Sequence, residues 1–284
     1  MHSHSQKSKS AALVTGTALL LSGCASVSLD GRHDLAREIA AGANMQPQTL
    51  NAAPFMLSAF VKASAPGAPA HVYIEGDGLA WLSRSQPSLN PTPTDPIALR
   101  LAASDSAPNV IYLARPCQYS GTVNGGQCDM KYWMGSRYAP EVLKSYNGAL
   151  DQLKATHAVS GFDLIGFSGG GTMAAILAGQ RNDVRSLRSI AGNLDHIEHS
   201  RVHDVSQLGN SLNPPQYADK LARVPQYHFI GGDDDIVPRS IYDAYTRALP
   251  AQNCTRYKIV DDVGHDSGWE TVWPELLRIT PRCQ

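Results

Sequence analysis

The sequence predicts an α/β architecture, a mostly parallel central sheet flanked by helices, and three observations carry that prediction. Short apolar runs alternate with helix-length amphipathic stretches through the main body, the order that parallel strands with crossover helices require. Hydrophobic residues make up 43% of 284 positions, which suits one large core. No internal repeat suggests a solenoid or an array.

The elements follow in chain order. The start, "MHSHSQKSKSAALVTGTALLLSGCAS", has a polar segment with Lys7 and Lys9, an apolar run from Ala11 to Leu21, and then small residues. That run is shorter than the roughly 20 residues needed to span a bilayer, so residues 1–24 are expected to be a secretory signal. Residues 25–50 have little sustained apolar periodicity and are expected to form a surface tether with one short helix around "HDLAREIAAG". Residues 51–284 are expected to be the folded domain. Its strands are predicted at "FMLSAFVKA", "HVYIEG", "NVIYLARP", "FDLIGF", "LRSIAG", "QYHFIGG" and "RYKIVDD". Its helices are predicted at "DPIALRLAA", "APEVLKSYNGALDQLKATH", "GGTMAAILAGQ", "RSIYDAYTRAL" and "DSGWETVWPELLRI". Two long stretches, Leu82 to Asp95 and His196 to Leu221, break the alternation. They are expected to be small lid loops shaping access to a site.

Charge narrows the partners. With 24 Lys plus Arg against 25 Asp plus Glu, a net charge of -1 and no basic block, the chain lacks the footprint of a nucleic-acid binder. Four cysteines beyond Cys24, namely Cys117, Cys128, Cys254 and Cys283, are an even number in a chain marked for export, where disulfides persist. Three pairings are open. Cys117 with Cys128 would staple the loop "CQYSGTVNGGQC", and Cys254 with Cys283 would tie down the C-terminal end. Four buried free thiols are the alternative that export disfavours.

The chemistry centres on "GFSGG", residues 166–170, where a predicted strand ends and a predicted helix begins. A serine in a sharp strand-to-helix turn is held in a strained conformation, needs small neighbours, and projects its hydroxyl above the sheet. Ser168 is therefore the candidate nucleophile. The unpaired N–H of Gly169, at the helix start, is placed to stabilise an oxyanion. A Gly/Ser-rich turn without chemistry matches the same letters, so the partners decide. The serine needs a base, and the base needs an acceptor to fix its tautomer. "YHFIGGDDDIVP" places Asp233, Asp234 and Asp235 after one predicted strand, and "RYKIVDDVGHDSGW" places His265 after another.

With these segments the chain resembles the α/β-hydrolase superfamily. Gly231, Asp234, Val237 and Pro238 match its acid segment, and Gly264 with His265 its histidine segment. The resemblance implies an α/β-hydrolase fold and a triad of Ser168, His265 and Asp234, with Asp195 as second-choice acid. It also places an oxyanion turn at "EGDG", where the backbone N–H of Asp77 would join that of Gly169. Glu75 stands where the superfamily usually has histidine; its carboxylate would repel an oxyanion, so it is expected to turn away and accept loop hydrogen bonds. Asp233 and Asp235 are expected to be solvated, and the triple-Asp run and the His196, His199, His203 cluster lack convincing metal-ligand patterns. No cofactor or metal is expected. Because neutral imidazole is the base, activity should fall in acid as the histidine takes up a proton.

A second resemblance concerns export. Leu21, Ser22, Gly23 and Cys24 resemble the bacterial lipobox, which implies Cys24 as a lipidated first mature residue and a membrane-tethered globular domain. Ala25 in the following position implies the outer membrane in a Gram-negative cell. The expected function is ester hydrolysis through an acyl-enzyme, on a small-molecule or lipid ester. A serine peptidase or acyltransferase on the same fold is the enzymatic alternative. A noncatalytic envelope lipoprotein is the alternative from another class.

Overall fold

A computed structural model of the chain describes residues 28–120 and 128–283. The predicted signal segment and Cys24 lie outside the described residues. Helix α1 (Leu29–Gly42) opens the described chain, capped by Ser28, whose Oγ accepts the N–H of Gly31 at 3.1 Å. Strands β1 (Gln46–Ala52), β2 (Phe55–Ala63) and β3 (Ala70–Ile74) follow. A small hairpin comes next, β4 (Trp81–Ser83) with β5 (Gln86–Pro87), then α2 (Ile97–Ala103) and β6 (Asn109–Leu113). After a 3₁₀ turn at Met130–Trp133 come α3 (Pro140–His157), β7 (Phe162–Phe167), α4 (Gly169–Gln180) and β8 (Val184–Ile190). Short helices α5 (His196–Val202) and α6 (Ala218–Leu221) precede β9 (Gln226–Gly231), α7 (Arg239–Ala248), β10 (Thr255–Val260) and α8 (Trp269–Leu276).

Eight strands form one sheet in the order β1-β2-β6-β3-β7-β8-β9-β10. Only β2 runs against its neighbours, pairing antiparallel with both β1 and β6; every other pairing is parallel. The central strands β6 and β7 are buried along their whole length, as strands covered by helices on both faces must be. Side chains alternate between two cores. Val72 and Ile74 face the layer of α3, α4, α6 and α7, while Tyr73 between them faces the layer of α1, α2 and α8. Helix α4 is apolar on every side, and Gly169 through Ala178 are all buried.

One expectation fails here. The short helix expected around "HDLAREIAAG" is α1, but residues 29–50, expected as a tether, are part of the fold, forming the whole of α1 and most of β1. Helix α1 docks through the small side chains of Ala36 and Ala40, and β1 is an edge strand with few buried positions. Strand β1 buries few positions and leaves no strong apolar period, which is why composition suggested a linker around the helix. The stretches expected as lid loops hold the β4–β5 hairpin, α5, a 3₁₀ turn at Pro214–Tyr217 and α6. The paired cysteines are Cys117 with Cys128 and Cys254 with Cys283.

The parallel strands bring the ends of β3, β7, β8, β9 and β10 to one sheet edge. Such an edge is where open α/β sheets place their sites.

Candidate active site

At the end of β7 the backbone turns abruptly through Ser168, which adopts φ 51° and ψ -120° before α4 begins. That conformation is costly for a residue with a side chain and persists only where the surroundings fix it. The N–H of Ser168 donates to Ile190 O at 2.9 Å, and its carbonyl accepts from Asn193 N at 3.1 Å. The flanking glycines are sterically required. A β-carbon at Gly166 would stand 2.2 Å from Gly170 O, and one at Gly170 would stand 2.1 Å from Ile74 O.

Three side chains separated in sequence meet above this edge. Ser168 Oγ lies 3.0 Å from His265 Nε2. The other ring nitrogen, Nδ1, lies 3.0 Å from Asp234 Oδ2 and 3.1 Å from Oδ1, so the Nδ1–H donates to the carboxylate and Nε2 is left to accept the serine proton. Asp234 is buried and fixed in turn, its Oδ1 accepting the N–H groups of Ile236 at 2.9 Å and Val237 at 2.8 Å. The ring of Phe167 packs 5.5 Å from the His265 ring, and Trp269 Nε1 donates to the His265 carbonyl at 2.9 Å. Asp233 and Asp235 are exposed. Asp195, the second-choice acid, is engaged elsewhere: it caps α5 by accepting the N–H groups of Ile197 and Glu198, and also accepts from Asn213.

Beside the serine, the turn after β3 lies against the start of α4. A β-carbon on Gly76 would be 3.4 Å from Ser168 Cβ, and one on Gly169 would be 2.4 Å from Asp77 Oδ1. Neither the Gly169 N–H nor the Asp77 N–H is spent on a hydrogen bond among the described residues. Glu75 turns away as electrostatics required. Its Oε1 accepts from Gly76 N at 2.9 Å and Ala98 N at 3.4 Å, and its Oε2 accepts from Tyr112 Oη at 3.1 Å. Burial pushes the Glu75 carboxyl up to about 7, against the downward pull of those donors.

Asp77 also carries a feature that sequence reasoning missed. Its carboxylate sits between two guanidinium groups, accepting from Arg115 Nη1 at 3.0 Å and from Arg137 Nη1. Burial alone would raise this carboxyl, but Arg137 and then Arg115 outweigh it and hold Asp77 below the ordinary carboxylate range. Gln118, also missed, donates from Nε2 to Gly76 O at 3.0 Å. The sequence signal was slight: Asp77 stands in the "EGDG" turn, and sequence order does not identify the guanidinium groups, 38 and 60 residues on, that meet it.

Among the described residues no group of three or more His, Cys, Asp or Glu side chains could hold a metal ion. The clustered histidines serve the loops: His196 Nε2 meets Leu212 O at 3.0 Å, and His203 Nε2 meets Ile236 O at 2.9 Å. A second serine–histidine pair, Ser189 with His228 at 2.7 Å, is sealed in the core, where burial pulls the imidazole down to about 3.

A reversed second strand in an otherwise parallel sheet, with a serine at the strand-to-helix turn, defines an α/β hydrolase. The chain belongs to the serine hydrolase (FSH1) family, whose sequence profile matches residues 100–258. Ser168 and Asp234 fall inside that match, and Asp77 and His265 outside it. Est1E from Butyrivibrio proteoclasticus superposes with a TM-score of 0.58 at 12% identity, over 81% of this chain and 95% of that one. An alpha-beta serine hydrolase homologue from Coxiella burnetii gives 0.54 at 13%, over 81% and 92%. The acylaminoacyl peptidase of Pyrococcus horikoshii gives 0.58 at 14%; there the likeness spans 81% of this chain and 39% of the peptidase. At such identities the likeness is one of fold. No curated protein matches the sequence.

Proposed function

We propose that this serine hydrolase cleaves carboxylic esters through an acyl-enzyme on Ser168. The observation that carries the reading is the relay of hydrogen bonds from Ser168 Oγ through His265 to Asp234, with both contacts of the imidazole near 3.0 Å. His265 Nε2 takes the hydroxyl proton as Oγ attacks the acyl carbonyl. Asp234 holds the Nδ1–H and stabilises the imidazolium that forms. The tetrahedral oxyanion is met by the free N–H groups of Gly169 and Asp77, donors fixed before the charge develops. His265 then gives its proton to the departing alkoxide, and the carbon–oxygen bond to the alcohol breaks. A water deprotonated by the same imidazole attacks the acyl-enzyme and releases the acid and Ser168.

An ester with apolar substituents suits the rim. The segments that follow β3, β8 and β9 at this edge carry exposed Trp81 and Leu82 on β4, Leu89, Ile197 on α5, and Ile236. Membrane attachment belongs to the same reading: Cys24 as the lipidated residue would hold the domain at the surface where lipid esters are found. Replacing Cys24 with serine is expected to move the protein from the membrane to the soluble envelope fraction.

The test is a fluorophosphonate probe together with a panel of short and long acyl esters and an N-acylated peptide. Wild type is expected to label and to hydrolyse esters, and Ser168→Ala to do neither. Equal turnover by the two proteins removes Ser168 as nucleophile. Faster cleavage of the peptide than of every ester makes the enzyme a peptidase.

A further inference from the structure

The carbonyl of the Gly76–Asp77 peptide meets a side chain 42 residues away in sequence. Gln118 is buried, and its Nε2 donates to the carbonyl of Gly76 at 3.0 Å. In a planar trans peptide the carbonyl and the next N–H point in opposite directions. Fixing Gly76 O on one side therefore fixes the Asp77 N–H on the other. Gln118 is itself over-determined. Its Oε1 accepts the N–H of Arg115 at 2.9 Å, and its own N–H donates to Arg115 O at 3.1 Å. Both its neighbours lie in the left-handed backbone region, Cys117 at φ 72° and Tyr119 at φ 55°. Such strain in non-glycine residues survives only under restraint. The restraints are visible: Cys117 is bonded to Cys128, and the N–H of Tyr119 donates to Thr92 Oγ1 at 3.0 Å.

We propose that Gln118 is a positioning residue for ester hydrolysis, orienting the Gly76–Asp77 peptide so that the Asp77 N–H is the second oxyanion donor. The Cys117–Cys128 bond holds the turn that carries it. The two arginines complete the arrangement by gripping the Asp77 carboxylate, so the peptide is held through its carbonyl and through the side chain of its second residue. This rests on the serine hydrolase reading above and adds a residue that touches neither Ser168 nor the acyl group.

The experiment compares wild type with Gln118→Ala and Gln118→Glu on p-nitrophenyl acetate. Active sites are counted by complete fluorophosphonate inactivation. Glutamate keeps the size of the side chain and replaces the donor with an oxygen. Both variants are expected to lose about 10²-fold in kcat with KM within about threefold, the signature of a donor used mainly in the transition state. A merely structural role would not move the second readout: the Ki of a trifluoromethyl ketone is expected to rise in proportion to the loss in kcat/KM across the series. Variants with wild-type kcat, or a Ki that does not track kcat/KM, overturn the proposal. Failure of both variants to fold would show the bond to be structural and overturn it too. A wild-type protein that neither labels nor hydrolyses the ester would instead sink the hydrolase reading, and the proposal with it.

Discussion

Asp77 occupies the space that a side chain on Gly169 would need: a β-carbon there would stand 2.4 Å from Asp77 Oδ1 and 2.6 Å from the Tyr138 hydroxyl. The two residues proposed to share an oxyanion are therefore packed against each other, and neither can be altered alone. Gly169→Ala is expected to push the Asp77 carboxylate off its arginine partners and move its N–H with it. Ester kcat should fall by about 10²-fold, with a smaller change in KM. Steady-state kinetics on a short acyl ester provide the check, and an alanine variant with unimpaired kcat would show that the contact is slack.

Asp234 gives the second prediction. An asparagine keeps the volume but can turn an N–H toward His265 Nδ1, where the imidazole now donates to Oδ1 and Oδ2 at 3.1 and 3.0 Å. The ring would then favour the tautomer with a proton on Nε2, which cannot accept from Ser168. Asp234→Asn is expected to lower kcat by about 10³–10⁴-fold and to slow fluorophosphonate labelling comparably. Asp195→Asn, at the cap of α5, should change kcat by less than about threefold. The reverse ranking would reinstate Asp195 as the acid.

Glu75 makes stability depend on pH in an unusual direction. Burial raises its carboxyl from an ordinary 4.5 to about 7. Between those values the folded protein keeps a proton that the unfolded chain has released, so this group's contribution falls as pH rises and is lost above about 7. Glutamine retains the Oε1 that accepts from Gly76 and Ala98 and carries no charge. Relative to wild type, Glu75→Gln is expected to gain up to about 3 kcal/mol between pH 4.5 and pH 8. Urea unfolding at the two pH values measures it, and identical pH dependence in both proteins would refute it.

The parts of this molecule that were legible in its sequence are those built from local pattern. Strands β6 and β7 are predominantly apolar, broken only by Asn109 and Asp163, and the turn at Ser168 announces itself because Gly166 and Gly170 have no room for a β-carbon. The proposed triad was legible for a related reason: each member follows a strand whose end the sheet topology must bring to one edge. What stayed hidden depends on long-range pairing. Edge strand β1 buries little and so shows no period, while Gln118 and Arg137 reach the turn after β3 across 42 and 60 residues. An amide or guanidinium carries no local sign of which carbonyl or carboxylate it will meet after folding.

The two disulfides offer a test that separates stability from chemistry. Cys254 immediately precedes β10 and its carbonyl accepts the N–H of Gln226, the first residue of β9; both strands begin at the edge opposite Ser168. Cys117 adjoins Gln118, on the turn that reaches Gly76. Each bridge contributes about 3 kcal/mol by limiting the unfolded chain, the longer Cys254–Cys283 loop somewhat more. The double variants Cys254→Ser/Cys283→Ser and Cys117→Ser/Cys128→Ser are therefore both expected to unfold at lower temperature. Only the second should also lose activity, by about tenfold or more in kcat at a temperature where both are folded, because releasing Cys117 frees the strained turn around Gln118. Calorimetry and ester kinetics on the same preparations check this. Equal kcat in the two double variants would mean that the Cys117–Cys128 bridge serves the fold alone.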